Sequence, residues 1–315
     1  MYMDKKVQTP NFRERFSTFM DKDNTVGYVF ILPWLIGFFA FTFIPVVASL
    51  VLSFTKYDLL SPPTFIGLKN YITMFTGDAL FIKSVKITFL FVAVSVPLRL
   101  IFALMLAMVF NKPTRLTGFY RAVYYIPSIV GGSVAIAVMW SRIFDSEGAI
   151  NSIMISLGIL KEPIYWLGNP NTTMIVLVLL YVWQFGSAML IFLAGLKQIP
   201  MSLYESAKID GANKVQQFIK VTIPMLTPII LFNLIMQVIN GFMMFTQAFV
   251  LTNGTGGPLN SLLVYSMYMY RKTFEFYQMG YGSAMAWFML IVVSIMTGII
   301  FKTSNQWVFY EAKED

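Results

Sequence analysis

Cysteine and histidine are both missing from the 315 residues. Without cysteine there are no disulfides, thiolate metal sites or thiol nucleophiles. Without histidine the commonest general base and the commonest transition-metal ligand are gone. No catalytic residue and no metal site is expected. Charge is scarce as well: Asp, Glu, Lys and Arg make up 12% of the chain, against roughly 25% in soluble domains. In their place stand 30 Phe, 16 Tyr and 21 Met, with 57% hydrophobic residues in all and a mean hydropathy of +0.69. Such a composition excludes a disordered chain and speaks against an ordinary cytosolic enzyme.

The net charge of +8 points to nucleic acid or to a membrane as partner. No dense Lys/Arg block with interleaved aromatics occurs, so nucleic acid is set aside. About 20 mostly apolar residues cross roughly 30 Å of hydrocarbon. Six segments reach that length: 26–54, 85–110, 119–140, 172–195, 225–251 and 281–301. The first over-spans the bilayer by about 10 Å, which predicts tilt or kinking at Pro33 and Pro45. It is too long for a signal-peptide core and no small-residue cleavage site follows, so it is expected to stay as an anchor. With the N-terminus inside, the inner segments hold most of the Lys and Arg. The positive-inside rule then puts both termini in the cytoplasm.

The expected fold is all-α: a polytopic membrane protein with six transmembrane helices, both termini cytoplasmic. Residues 1–25 form a cytoplasmic N-terminal segment, 26–303 the transmembrane domain and 304–315 a cytoplasmic tail. In the first segment Phe12, Phe16, Phe19 and Met20 recur at helical spacing. That fits a short helix on the inner membrane surface, or a frayed tail with scattered aromatics.

The inner loop between the fourth and fifth spans, about 196–223, is unusually long. Ser202 with Glu205 three residues on has the spacing of a capping box. A helix over 203–209 would end near Gly211, which suits a left-handed turn, and Pro224 would open the next helix. Those features alone predict a connector along the membrane surface. The residues carry a closer likeness. Glu205-Ser206-Ala207-x-x-Asp210-Gly211-Ala212, followed by Phe218, Ile223 and Pro224, resembles the EAA loop of ABC-importer permeases, with Ser206 where the family usually has Ala. Four further stretches, in order, are similar to signatures of the carbohydrate branch. They are Phe65-Ile66-Gly67-Leu68-Lys69-Asn70-Tyr71; Tyr120-Arg121 through Tyr125-Ile126-Pro127, Trp140, Gly148 and Asn151; Trp166-Leu167-Gly168-Asn169-Pro170; and Thr252 with Gly256-Gly257-Pro258. Together they resemble a MalF/UgpA-type permease subunit of a binding-protein-dependent sugar importer in the bacterial cell membrane.

That resemblance implies partners and roles. The loop would form a cytoplasmic coupling helix that meets the ATPase through Glu205, Ser206, Ala207, Asp210, Gly211 and Ala212. A second homologous permease, two ATP-binding subunits and an extracellular sugar-binding protein would complete the importer. Gly256, Gly257 and Pro258 would lie in an outer loop reaching toward the binding protein. No cofactor is expected on this chain, with ATP and Mg held by the partner ATPase. In agreement, the chain has no G-x-x-x-x-G-K-[ST] phosphate loop, and Gly254-Thr255-Gly256-Gly257-Pro258 lacks the lysine.

Polar residues inside spans mark a path or helix–helix hydrogen bonds. Asn233, Gln237, Asn240 and Gln247 fall on one face of the fifth span at about 100° per residue, and read as path lining. Trp183, Gln184 and Ser187 on the fourth span are further candidates. Arg99, mid-way along the second span, costs about 2.5–3.5 kcal/mol on insertion scales. It would snorkel, pair with the partner permease or with carbonyls freed by Pro97, or bind an anionic substrate group. The last reading implies uronate-containing, pectin-derived oligosaccharides; a neutral oligosaccharide or glycerol-phosphate-type importer is the alternative. A membrane receptor or scaffold would need neither the amide face nor the loop. A secondary transporter would more often carry intramembrane acids.

Overall fold

A computed structural model describes residues 23–112 and 116–309. The surface helix expected over 12–20 lies outside the described residues, as do 113–115 and 310–315. The chain is mostly helical. Among the described residues four helices are long and apolar enough to cross a membrane: α1 (Gly27–Ser53), α3 (Ala79–Asn111), α10 (Lys214–Phe242) and α13 (Met279–Trp307). The number becomes six if each of two bent pairs counts as one span: α4 (Thr117–Val130) with α5 (Val134–Ile143), and α7 (Pro170–Trp183) with α8 (Gly186–Leu196). The shorter helices are α2 (Lys69–Thr76), α6 (Ala149–Ser156), α9 (Met201–Ile209), α11 (Thr246–Leu251) and α12 (Tyr265–Tyr270). Among the described residues the one departure from an all-α fold is a ribbon of two-residue strands, β1 (Thr55–Lys56) and β2 (Thr64–Phe65), which pair antiparallel.

Three of the expected spans are corrected. The span expected over 119–140 turns by 101° between α4 and α5. Gly131 and Gly132 sit at the break, and Ser133 caps α5 by accepting from the Ile136 N–H at 3.4 Å. The span over 172–195 bends by 43° between α7 and α8. The span over 225–251 stops at Phe242 and α11 begins afresh at Thr246. Apolar composition runs on through each break, so hydropathy cannot register it.

Two prolines are handled in one way. Pro45 follows a π turn at Phe39–Phe43, and Pro224 follows another at Phe218–Thr222. Proline removes one N–H and its ring crowds the carbonyl four residues back, and a widened turn relieves both. The helix expected to open at Pro224 therefore starts earlier and runs through it. Its start is the Asn213 cap, whose side chain accepts from Val215 N and Gln216 N while Gln216 Oε1 accepts from Asn213 N.

α3 is the central post. Its Asp78-capped half sends Phe81, Phe91 and Val96 into a core shared with Leu177 and Leu180 of α7, Phe242 of α10, and Tyr265 and Tyr268 of α12. Its other half places Ala103 and Ala107 against Phe185, Met189 and Phe192. α1 lies along α13, and none of its most apolar stretch is buried. Helices apolar on an unburied face need lipid or another protein as solvent. α13 continues past 303, the expected end of the transmembrane domain, to Trp307.

Candidate functional site

α9 and the turn after it project from one end of the bundle. Ser202 makes no cap: the cap position is Pro200, in extended conformation, and α9 begins at Met201. The capping box expected at Ser202 and Glu205 is found instead at Asn213 and Gln216. The C-terminus follows expectation. Gly211 has φ +79°, its N–H donates to the Lys208 carbonyl at 3.1 Å, and Ala212 N–H reaches back to the Ala207 carbonyl at 2.9 Å. These two bonds form a Schellman motif, which takes up the Ala207 and Lys208 carbonyls and reverses the chain. Glu205, Ser206, Asp210 and Gly211 are exposed, and Ala207 and Ala212 half-buried. Ile209 is 86% exposed, with Met201 and Val215 also open. A side-chain hydrogen bond between Tyr204 Oη and Thr222 Oγ1 at 2.9 Å ties this loop to the bundle at the π turn of α10. α9 is thus a rigid, one-sided projection with an apolar tip.

Mid-bundle, the two helix breaks meet. Arg99 is 7% exposed. Its guanidinium lies over the Tyr181 ring, 4.4 Å from the centroid, and donates to the Gln184 carbonyl. That carbonyl sits at the α7–α8 bend, and Ser128 Oγ also donates to it at 2.9 Å. The carbonyl Arg99 reaches is therefore freed by the bend after Trp183, not by Pro97. Ser128 Oγ in turn accepts from Ser187 N–H at 2.9 Å. Gln184 packs so close to Gly131 that a side chain there would collide with it, and the Gly131 carbonyl accepts from Gln247 Nε2 at 3.2 Å. Trp183 stacks, tilted, against Trp140 at 5.4 Å. Arg99, Gln184, Ser187 and Gln247 thus join in one polar knot that satisfies backbone opened at the breaks. A buried cation over an aromatic face gains about 2 kcal/mol, which offsets much of its insertion cost.

The expected amide face does not hold together. Asn233 is fully buried and Gln237 is 5% exposed, while Asn240 is open. Gln247 lies on α11, beyond the break at Phe242. Tyr181 Oη donates to the Gln237 carbonyl at 2.9 Å. Both amide atoms of Asn233, together with Ser95 Oγ and Arg99 Nε, have no hydrogen-bond partner among the described residues. Asn240 shares its outward face of α10 with Phe232, Met236 and Met243.

Sequence reasoning passed over the knots at the other end of the bundle. Asp78 caps α3 by accepting from Phe81 N–H at 3.0 Å. It also accepts from Tyr268 Oη at 2.6 Å and Tyr281 Oη at 2.8 Å and pairs with Lys272 at 3.4 Å. Burial opposes its charge, but the two hydroxyls, the Phe81 N–H and Lys272 outweigh that and hold the carboxyl below its usual range. Burial and the nearby Asp78 push the Tyr268 hydroxyl up. Two motif asparagines are structural. Asn70 Nδ2 donates to the Ser53 and Thr55 carbonyls at 2.8 and 2.9 Å. Asn151 Nδ2 donates to the carbonyls of Asp145, Ser146 and Ile164, and its Oδ1 accepts from Ile164 N–H and Trp166 Nε1. Gly256 and Gly257 both have positive φ and turn the segment between α11 and α12 sharply. Among the described residues no group of three His, Cys, Asp or Glu side chains could hold a metal.

The family model for the binding-protein-dependent transport system inner membrane component matches residues 99–310, from the knot arginine through α9 to the last helix. The chain belongs to this family. Among its relatives is the probable ABC transporter permease protein YesP of Bacillus subtilis, 54% identical over 93% of this chain and 95% of that protein. The lactose transport system permease protein LacF of Rhizobium radiobacter is 32% identical over 89% and 94%. In fold, the chain is similar to a solved bacterial alginate ABC transporter in complex with its alginate pentasaccharide-bound periplasmic protein. The TM-score is 0.77 at 21% identity, covering 93% of this chain and 98% of that one. This inner-membrane component is therefore a multi-pass bacterial membrane protein and a sugar ABC transporter permease by kinship.

Proposed function

We propose that the chain is one of two permease subunits of an ATP-driven, binding-protein-dependent oligosaccharide importer, with six spans and both termini cytoplasmic. α9 is then the coupling helix. Its open tip enters a groove on one of two ATPase subunits, which carry ATP and Mg, and this chain needs no cofactor of its own. The observation that carries the reading is the Schellman-ended projection of α9, within the region the family model matches. Its tether to α10 at Tyr204–Thr222 lets ATPase closure move a span rather than a loose loop. Relatives named for lactose and arabinooligosaccharides support the oligosaccharide class.

On α10, Asn240 is the amide that fits a sugar path, since Asn233 and Gln237 face the interior. Within the oligosaccharide class we favour a uronate-containing, pectin-derived substrate, delivered by an extracellular binding protein. Its support is an exposed arginine at the end of the bundle opposite α9, Arg142, and not Arg99, whose guanidinium is engaged by Gln184 and Tyr181.

The test pairs two variants. Gly211→Val forces a β-branched residue into the left-handed region, at a cost of about 1–2 kcal/mol, and should abolish uptake with normal membrane levels. Gly211→Asn tolerates that conformation and should retain uptake. Uptake of matched neutral and uronate oligosaccharides, with and without this gene, assigns the substrate. Wild-type uptake in Gly211→Val would remove the coupling role.

A further inference from the structure

Opposite the α9 end, a cavity of about 760 Å3 opens between the end of α5, residues 144–146, residues 165–168 and the turn after α11. That size lies within the roughly 300–1,000 Å3 of ligand pockets. We propose that this cavity is an outer saccharide subsite, which takes the end of the oligosaccharide before it enters the path; this rests on the importer reading above.

The lining has the chemistry of sugar recognition. The Tyr165 ring is 69% exposed and offers a flat apolar face to the carbon side of a pyranose. Arg142 and Asp145 stand at the mouth. Their mutual contact is 3.9 Å, with both side chains more than half exposed, so it is a weak pair that a ligand can replace. Arg142 then meets a carboxylate or hydroxyls in bidentate fashion, while Asp145 and the amide of Asn253 accept from and donate to hydroxyls.

The walls are built rigidly. Trp166 is pinned by its Nε1 bond to Asn151 at 3.0 Å and by Thr172 Oγ1 on its carbonyl at 2.7 Å, and its ring meets Phe144 edge-on at 5.7 Å. On the far lip Asn253 has positive φ although it is not glycine, and Leu259 and Asn260, just beyond the lining, do too, a strain that persists only where surrounding bonds enforce it. Those bonds are present: Thr255 Oγ1 to the Thr252 carbonyl at 2.6 Å, Leu262 N–H to the Gly256 carbonyl at 2.9 Å, and Arg271 Nη1 to the Thr255 carbonyl at 3.3 Å. A strained loop locked around an open polar cavity is preorganised for a ligand. None of these residues belongs to the mid-bundle knot or to the outward face of α10, so the subsite is separate from both.

The experiment uses the assembled transporter in lipid nanodiscs without its binding protein. Tryptophan fluorescence is followed on titration with trigalacturonate and, separately, maltotriose. Docking of the binding protein is measured in parallel, as is uptake in cells. Tyr165→Ala should weaken both sugars roughly tenfold, the change that 1.4 kcal/mol produces, and Tyr165→Phe should restore them. Arg142→Gln should weaken trigalacturonate alone. Equal binding by wild type and Tyr165→Ala overturns the subsite, as does absence of sugar binding by a wild-type complex that still takes up sugar. Loss of binding-protein docking in Tyr165→Ala with sugar binding intact also overturns it, and makes the cavity a receptor for a protein loop. Failure of the importer reading is separately visible, as absence of gene-dependent uptake of any oligosaccharide.

Discussion

Lys272 lies 3.4 Å from the carboxylate of Asp78, joining the segment ahead of α13 to the first turn of α3. The pair is wrapped by aromatic rings: the ammonium is 5.4 Å from the Tyr268 centroid and 5.3 Å from that of Tyr281. α12, the segment after it and α13 are thus held at one carboxylate of a helix cap at least 190 residues earlier in the chain.

Because the folded pKa of Asp78 is lowered from 3.8, its stabilising contribution is complete above that value. It is lost as the pH falls through the lowered pKa. Thermal melts of the detergent-solubilised protein should show an acid-side loss of stability that is reduced in Asp78→Asn. At neutral pH that variant keeps the cap, since Asn caps a helix as well as Asp. It loses the Lys272 pair and the charge assistance to the Tyr268 and Tyr281 bonds, and should itself be less stable by about 1–3 kcal/mol. An identical acid limb in both proteins would remove Asp78 from that role.

Arg99→Gln should behave as a structural lesion. Loss of the guanidinium leaves the Gln184 carbonyl with Ser128 alone and empties the face of Tyr181, at a cost of about 1–3 kcal/mol. Melting temperature should fall, and uptake of neutral and acidic sugars should fall by the same factor. Arg99→Lys should not rescue, since a compact ammonium does not stack as a planar guanidinium does. A selective loss of acidic sugars would reinstate Arg99 as a substrate contact.

The two asparagines of α10 should separate cleanly. Replacing a buried amide that lacks partners by an apolar residue of similar shape is neutral or stabilising, so Asn233→Leu should melt no lower than wild type. Asn240→Leu should leave the melt unchanged and raise the KM for uptake several-fold. The reverse pattern would mean that the inner amide serves transport.

Asn151→Asp retains the shape but cannot donate to the three carbonyls it now serves. The expected result is a loss of about 1–3 kcal/mol for each group left without a partner, read as a lower melting temperature with altered Trp166 fluorescence. Wild-type stability would show that the segment from Asp145 to Trp166 holds without it.

Much of this architecture was legible in the composition. Long apolar runs placed α1, α3 and α13 within a few residues, because the cost of exposing backbone to lipid leaves few alternatives. α3 nonetheless begins earlier than the expected position 85, because Asp78 already caps a helix there. Gly211 was predictable from local rules, since a left-handed turn is nearly private to glycine. The amides of α10 were not. Periodicity gives the phase of Asn233 and Gln237 but not which neighbours meet that face, and a helix break at Phe242 moved Gln247 off the stripe. Arg99 was visible as a cost; its remedy, a carbonyl 85 residues away, depends on a bend that apolar sequence conceals.

The widened turn at Phe218–Thr222 also absorbs an angular offset. It holds one residue more per turn than regular helix, and each residue of an α-helix advances about 100° around the axis. Deleting a single residue there would restore ordinary winding and leave both halves of α10 folded. α9 would keep its angular place relative to the bundle, because the widened turn takes up that residue within one revolution. A deletion in the regular helix beyond it would instead swing α9 by about 100°, a lever intact in its own parts and out of phase with the machine it drives.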